Sequence, residues 1–352
     1  MSRELNIGFI GTSFIAQVAH LVHYSNFENV KIASVAELRP NLGKAVCKKF
    51  NISHYTNNYH ELLDRDDLDA IITIVQRSHT GPIALDVLEA KKNLFTEKPM
   101  AQTLEKAKLL SDTAKKNNLI YAVGFMRRHD PAVRYMKQLI AELEGTKKLG
   151  DIVYMRMFLS AGGDYCNIDG DIKSNEPKDT KITWPISPDW VPENRAKEYE
   201  HFVNVCSHDI NLIRYIFPKM PIVKSVAYKK NAGKIALLDF ESFPGVFEWG
   251  DTLQPTKWEE GIEIIYQKGT MRLDLSPAFL RNQPSKISVY EDRGRSTGLL
   301  YQPTFDWDWA FKNQAKSFIE NLVNKTQPIA NGIDSFEDFN FIDQIWKGIL
   351  NE

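Results

Sequence analysis

Four places in the chain carry residue types that could do chemistry: the turn Gly11-Thr12-Ser13-Phe14-Ile15-Ala16, Glu37, Lys98, and the stretch from Asn204 to His208. The turn follows an apolar run, Leu5 to Ile10, and leads into helix-spaced apolar residues from Phe14 to Tyr24. It approaches the dinucleotide fingerprint G-x-G-x-x-G/A. There the first glycine allows the bend, the second admits a pyrophosphate close to backbone, and the third lets helix and strand pack. Gly11 and Ala16 meet the first and third needs. Ser13 holds the second slot; it adds a Cβ, yet it is small and its hydroxyl can donate to a phosphate oxygen. The helix behind it offers N–H groups and a positive dipole end to an anion. A turn that only packs a helix is the alternative. Glu37 ends the next apolar run, where an acid accepts from the ribose hydroxyls of adenosine. Its charge repels a 2′-phosphate and so selects NAD over NADP, although Arg39 nearby offers such a phosphate a partner. A solvated strand end is the plainer reading of Glu37.

Lys98 sits in Thr96-Glu97-Lys98-Pro99, at the carboxyl end of a buried-looking run. A lysine entering a crevice there could hold a substrate hydroxyl and bias its proton; otherwise it is a solvated strand end. Arg127 and Arg128 suit either an anionic or nicotinamide-side contact or a structural tie. Trp184 to Trp190 suits either a sugar-stacking wall or a packed loop. His201 and His208, seven apart, do not make a zinc site, and no H-E-x-x-H, C-x-x-C or G-x-S-x-G occurs.

The elements that must position these residues alternate over the first third. Strands are expected at Leu5 to Ile10, Val30 to Glu37, Leu68 to Val75, Asn93 to Pro99 and Ile120 to Phe125. Helices are expected at Phe14 to Tyr24, Pro40 to Phe50, Pro82 to Ala90 and Thr103 to Asn117. That rhythm implies a doubly wound parallel sheet, with its crevice beyond the carboxyl ends of the strands. After Phe125 it changes. A helix at Pro131 to Leu143 precedes short strands at Ile152 to Leu159, Val223 to Lys229, Ile235 to Phe240, Val246 to Trp249, Ile262 to Tyr266 and Ile287 to Tyr290. They are joined by turn clusters such as Asn231-Ala232-Gly233, as in an antiparallel sheet. Cys166 to Pro192 reads as a long irregular insertion. Helices at Trp309 to Asn324 and Ser335 to Leu350 close the chain, the second opening on a near capping box. The expected division is an α/β Rossmann domain, 1–124, and an α+β substrate-binding and oligomerisation domain, 125–352, with a largely antiparallel open sheet.

Composition narrows the partners. The 352 residues carry 44 Lys+Arg against 45 Asp+Glu, so no basic stripe invites nucleic acid. No apolar run approaches the ~18 residues of a membrane span. Cys47, Cys166 and Cys206 are odd in number and widely spaced, which fits neither a disulfide framework nor a metal cluster. A cytoplasmic protein is expected, with no membrane, nucleic-acid or metal partner.

Taken together, the Gly-rich turn, His79, Glu97-Lys98-Pro99, Gly124 to Pro131 (GFMRRHDP) and Asn204 to Asn211 (NVCSHDIN) resemble the glucose–fructose oxidoreductase/inositol dehydrogenase/rhizopine-catabolism (Gfo/Idh/MocA) family. The match runs in order along nearly the whole chain. It departs in the last segment: Asn204, Cys206 and Asn211 replace the family's aspartate, glycine and aspartate, while His208 is kept. An asparagine can hydrogen-bond a sugar hydroxyl but cannot stabilise an imidazolium as a carboxylate does. The resemblance implies NAD bound by Gly11, Ser13, Phe14, Ile15, Glu37 and Arg39, with Val75, Gln76, His79, Glu97 and Lys98 completing the site. It implies that Lys98, Asn204 and His208 are catalytic, and that substrate meets them together with Arg127, Arg128 and Trp184. His208, otherwise a core histidine, becomes the proton acceptor, and Lys98 polarises the hydroxyl. The implied activity is hydride transfer between nicotinamide and a secondary hydroxyl of a sugar, cyclitol or nucleotide-linked sugar, in a homo-oligomer (dimer or tetramer). Two rivals stand beside it: NAD cycling in place within a net glycosidase or epimerase reaction, and a non-catalytic NAD sensor.

Overall fold

In the computed structural model the described residues are 3–162, 168–178, 183–230, 232–252, 254, 257–295 and 297–351. Cys166 and Asn231, named above, lie outside them. Two compact units emerge, each assembled from three stretches of chain. The first comprises Met1–Phe125, Asp169–Ser207 and Phe311–Phe339; the second comprises Met126–Ile168, His208–Ala310 and Asn340–Glu352.

The first unit is built on β1 (Leu5–Ile10), β2 (Val30–Ala36), β3 (Tyr55–Thr56), β4 (Ala70–Thr73), β5 (Asn93–Thr96) and β6 (Tyr121–Val123). All pair in parallel, in the order β3-β2-β1-β4-β5-β6. This is the doubly wound arrangement, whose strand order reverses between β1 and β4 and leaves a crevice there. The central strands are buried on both faces, and β4, Ala-Ile-Ile-Thr, is buried at every position. Helices Pro40–Lys49 and Leu104–Lys116 start where local chemistry allows it. The first has proline in its opening turn, and the second is capped by Thr103, whose side chain accepts from Lys106 N. The core joins Phe9, Ile72 and Phe95 to Ala315, Phe318 and Leu322. Those last residues come from helix Ala310–Asn324, and they account for the return of the chain to this unit.

Two expected boundaries move. The helix placed at Pro82 begins at Arg77, five residues earlier, with Pro82 inside it. Proline removes the N–H that would have bonded the Ser78 carbonyl. Trp184 N donates to that oxygen instead, at 3.4 Å. Its indole lies over Gly81, where an added Cβ would meet Trp184 Cε3 at 2.4 Å. Secondly, Ser335 does not open the last helix. It ends a short helix, Gly332–Ser335, capped by Asn331, and Asp338–Leu350 follows separately. The described part of the expected insertion, 168–178 and 183–192, contains neither strand nor α-helix.

The second unit holds β7 (Ile152–Gly162), β8 (Ile222–Tyr228), β9 (Lys234–Asp239), β10 (Pro244–Thr252), β11 (Trp258–Tyr266), β12 (Gly269–Asp274), β13 (Lys286–Asp292) and β14 (Gly298–Tyr301). The sheet runs β14-β13-β12-β11-β7-β10-β9-β8 and is antiparallel except where β10 pairs β7. One face is core: Met155, Met157, Ile262, Ile264, Met271 and Leu273 have no exposed surface. The opposite face leaves Ile235, Leu237, Ile265 and Tyr290 exposed. Among the described residues no helix is long and apolar enough to cross a membrane, and no group of three metal-ligating side chains converges.

Candidate active site

The opening turn takes its shape from Gly11, which holds φ +87° with the Ile74 carbonyl so near that a Cβ would approach it to 2.2 Å. Only glycine suits both the dihedral and the approach. The helix that follows carries no acidic residue in its first turn, so nothing there competes with an incoming anion. A cleft opens beside the turn, at the ends of β1, β2 and β4. Ile10, Ala36, Ile74 and Ile83 wall it with hydrocarbon, while Gly11, Ser13, Glu37 and Arg39 present polar groups. Val75, Gln76 and His79 line it as well; Phe14, Ile15, Glu97 and Lys98 do not. An apolar slot ending in a glycine turn, a hydroxyl and a helix N-terminus has the donor chemistry that an adenine dinucleotide requires.

Glu37 and Arg39 form a pair that sequence spacing did not disclose. Arg39 Nε donates to Glu37 Oε1 at 2.7 Å and its terminal nitrogen to Oε2 at 3.0 Å. Thr12 donates to Oε2 through both N–H and hydroxyl, at 2.9 and 2.8 Å. The second bond of that terminal nitrogen goes to Ser13 Oγ, at 2.8 Å. The serine in the glycine slot therefore braces the arginine. Both charged side chains are about 5% exposed. Burial pushes the Glu37 carboxyl up, but the Arg39 and Thr12 bonds outweigh it and hold it below the ordinary range. His79 is buried, and desolvation lowers its pKa.

At the end of β5, Glu97 binds in two directions. His20 Nε2 lies 2.9 Å from Oε1, and Lys98 N donates to Oε2 at 3.0 Å. Gly124 lies against this carboxylate, and an added Cβ would meet Glu97 Cδ at 3.0 Å. The Lys98 ammonium, half-buried, donates to the Asn204 carbonyl at 2.7 Å and reaches its Oδ1 at 3.5 Å. Two residues 106 positions apart are thereby brought together. Asn204 belongs to helix Ala196–Ile216, and half-buried His208 follows one turn later on the same helix.

Other singled-out residues lie elsewhere. Arg127 is ion-paired with Glu260 and donates to the Ser276 carbonyl at 2.5 Å. Arg128 Nε donates to Asn211 Oδ1 at 2.6 Å, and its guanidinium lies over Tyr215. Both arginines are buried in ties within the second unit, the structural role weighed for them above. Asn211, in a position where the family motif has aspartate, is the acceptor of one such tie. Trp184 packs on Gly81 with the Lys106 ammonium 5.5 Å from its ring, and does not line the cleft. The Thr12 and Ser13 contacts to the acid–base pair, and His20 behind Glu97, had no periodic signal that could reveal them.

Residues 5–125 match the family model described as "Oxidoreductase family, NAD-binding Rossmann fold" (GFO_IDH_MocA). Over this region the chain is similar to the Gfo/Idh/MocA oxidoreductases. Of its relatives, the uncharacterized oxidoreductase YrbE of Bacillus subtilis is 27% identical over 86% of this chain and 76% of its own. The likeness in fold extends across the whole chain. Levoglucosan dehydrogenase in complex with NADH and levoglucosan superposes with TM-score 0.76 at 18% identity, covering 99% of this chain and 98% of that one. KijD10, a 3-ketoreductase from Actinomadura kijaniata in complex with TDP-benzene and NADP, gives TM-score 0.74 at 15% identity, covering 98% of each.

Proposed function

We propose that the protein is an NAD-dependent dehydrogenase acting on a secondary hydroxyl of a sugar, cyclitol or nucleotide-linked sugar. The observation that carries the reading is the Lys98–Asn204 contact, with a half-buried histidine one turn along the same helix. A bound nicotinamide would accept or return the hydride. Lys98, held at its backbone by Glu97 and at its ammonium by Asn204, donates a hydrogen bond to the substrate oxygen and steadies it as its proton leaves. His208 takes that proton as general base. Asn204 orients Lys98 through an uncharged acceptor, which leaves the ammonium's charge for the substrate. The NADH and levoglucosan of one structural relative and the TDP ligand of the other support the substrate class.

Cofactor choice follows from Glu37. A 2′-phosphate would have to draw Arg39 away from a buried carboxylate that it holds twice, so we infer a preference for NAD(H). Calorimetric titration should show tighter binding of NAD(H) than of NADP(H), and equal or inverted affinities would sink the inference. The exposed apolar side chains Ile235, Leu237, Ile265 and Tyr290 support self-association of the second unit's sheet. Light scattering should return a dimer or tetramer.

The reaction is tested by following NADH absorbance with a panel of sugars, cyclitols and nucleotide sugars. Net NADH from at least one of them is expected. His208→Asn should lower turnover by about 10²–10⁴-fold, the usual worth of a general base. Lys98→Met should do at least as much damage, and neither change should alter NAD affinity more than a few-fold. Near-normal turnover in His208→Asn would show that the proton leaves by another route.

A further inference from the structure

The stretch Asp169–Lys178 belongs to the first unit and is fastened to it at three points. Gln17, buried on the first helix, forms a reciprocal pair with the backbone of Ile172: its Oε1 accepts from Ile172 N at 2.8 Å, and its Nε2 donates to Ile172 O at 3.1 Å. Lys49 donates to the Gly170 carbonyl. Glu176 seats both carboxylate oxygens on the N-terminus of helix Pro40–Lys49, accepting from Asn41 N at 3.1 Å and Leu42 N at 3.0 Å. Ser174 donates to the same carboxylate at 2.9 Å. Burial pushes the Glu176 carboxyl up, while these three bonds hold it below the ordinary carboxylate range. Two residues further on, Lys178 lines the cleft beside Glu37 and Arg39.

We infer that Asp169–Lys178 is a clasp over the adenosine half of the dinucleotide, with Lys178 as the cation that meets its phosphate. The inference deepens the cofactor reading above and rests on it. No periodic element would hold this stretch against the sheet; three separate polar fastenings do. Two of them, at Gln17 and at Asn41-Leu42, flank the turn and the acid-bearing strand end that define the adenosine side. Because Arg39 is already matched to Glu37, Lys178 adds the positive charge that the pyrophosphate of the dinucleotide complements. A clasp of this kind sets how long the cofactor stays.

The test measures NADH release by fluorescence, chasing with excess NAD, in the wild type, Glu176→Ala and Lys178→Met. Glu176→Ala removes three charge-assisted bonds at the surface and should speed release about tenfold. Lys178→Met should weaken AMP severalfold while leaving adenosine unchanged, which separates phosphate contact from stacking. Hydrogen exchange over 169–178 should slow when NADH is added to the wild type. If Glu176→Ala loosens only helix Pro40–Lys49 and releases NADH at the wild-type rate, the clasp is overturned. It is equally overturned if NADH leaves exchange over 169–178 unchanged, or if Lys178→Met binds AMP as the wild type does. Binding of neither NADH nor NADPH by the wild type would refute the cofactor reading itself.

Discussion

His129 and Glu37 carry the clearest consequences for single-residue chemistry. His129 is buried; desolvation, aided by Arg134 and Arg128, pushes its pKa down to about 3. Below about pH 6.5 the unfolded chain takes up a proton there that the folded chain refuses until far lower pH, so stability is lost as pH falls through that window. Glu37, held below its ordinary range, adds to the same acid limb: its contribution is complete above the unfolded pKa and disappears as the carboxylate protonates. Denaturant midpoints measured from pH 7 to 4 should fall, and His129→Gln should flatten the upper part of that fall. Glu37→Gln leaves buried Arg39 beside a neutral amide and should cost about 3–5 kcal/mol at pH 7. Ser13→Gly, which restores the usual glycine, should still bind NAD. Its loss should show instead as a weaker Arg39 anchor and a relaxed preference against NADP. Ser13→Leu should block the cofactor; normal binding would mean that the turn is not where phosphates sit.

At the level of elements, the helix that contains Pro82 shows how a sequence rule can be correct and still misplace a boundary. Proline cannot donate to Ser78, and a chain read alone suggests that the helix starts there. Trp184, about a hundred residues away, supplies the missing donor and lays its ring over Gly81. Gly81→Val should expel that indole, seen as a red shift and loss of tryptophan fluorescence, with the Rossmann sheet left intact. The alternating strands and helices around β1, β2, β4 and β5 were legible because the strands are apolar runs and the helices between them carry helical spacing. β3, two residues long, was not; neither were β12 and β14, which lack such a run, among the turns of the second unit. The turn at Gly11, Glu37 and Lys98 could be read as residues. Their partners could not, since Thr12 and Arg39 meet Glu37, and Asn204 meets Lys98, through bonds that follow no spacing.

Across the molecule, the first unit depends on residues that sequence order places far from its sheet. Phe318 is 1% exposed within the same core as Phe9 and Phe95. Phe318→Ala should therefore cost about 3–5 kcal/mol, measured on the unit that binds the dinucleotide. A chain cut after Phe125 keeps all six strands yet loses that helix, and should bind a hydrophobic dye and aggregate. This dependence also sets a clock on biosynthesis. The sheet strands leave the ribosome first, but the last residues of their unit, up to Phe339, emerge about 214 positions after Phe125. At ordinary rates of ~5–20 residues per second, the nascent sheet waits roughly 10–40 seconds with one flank bare. Through that interval its apolar surface is a substrate for chaperones, and slowing translation beyond Phe125 should lengthen their occupancy in proportion.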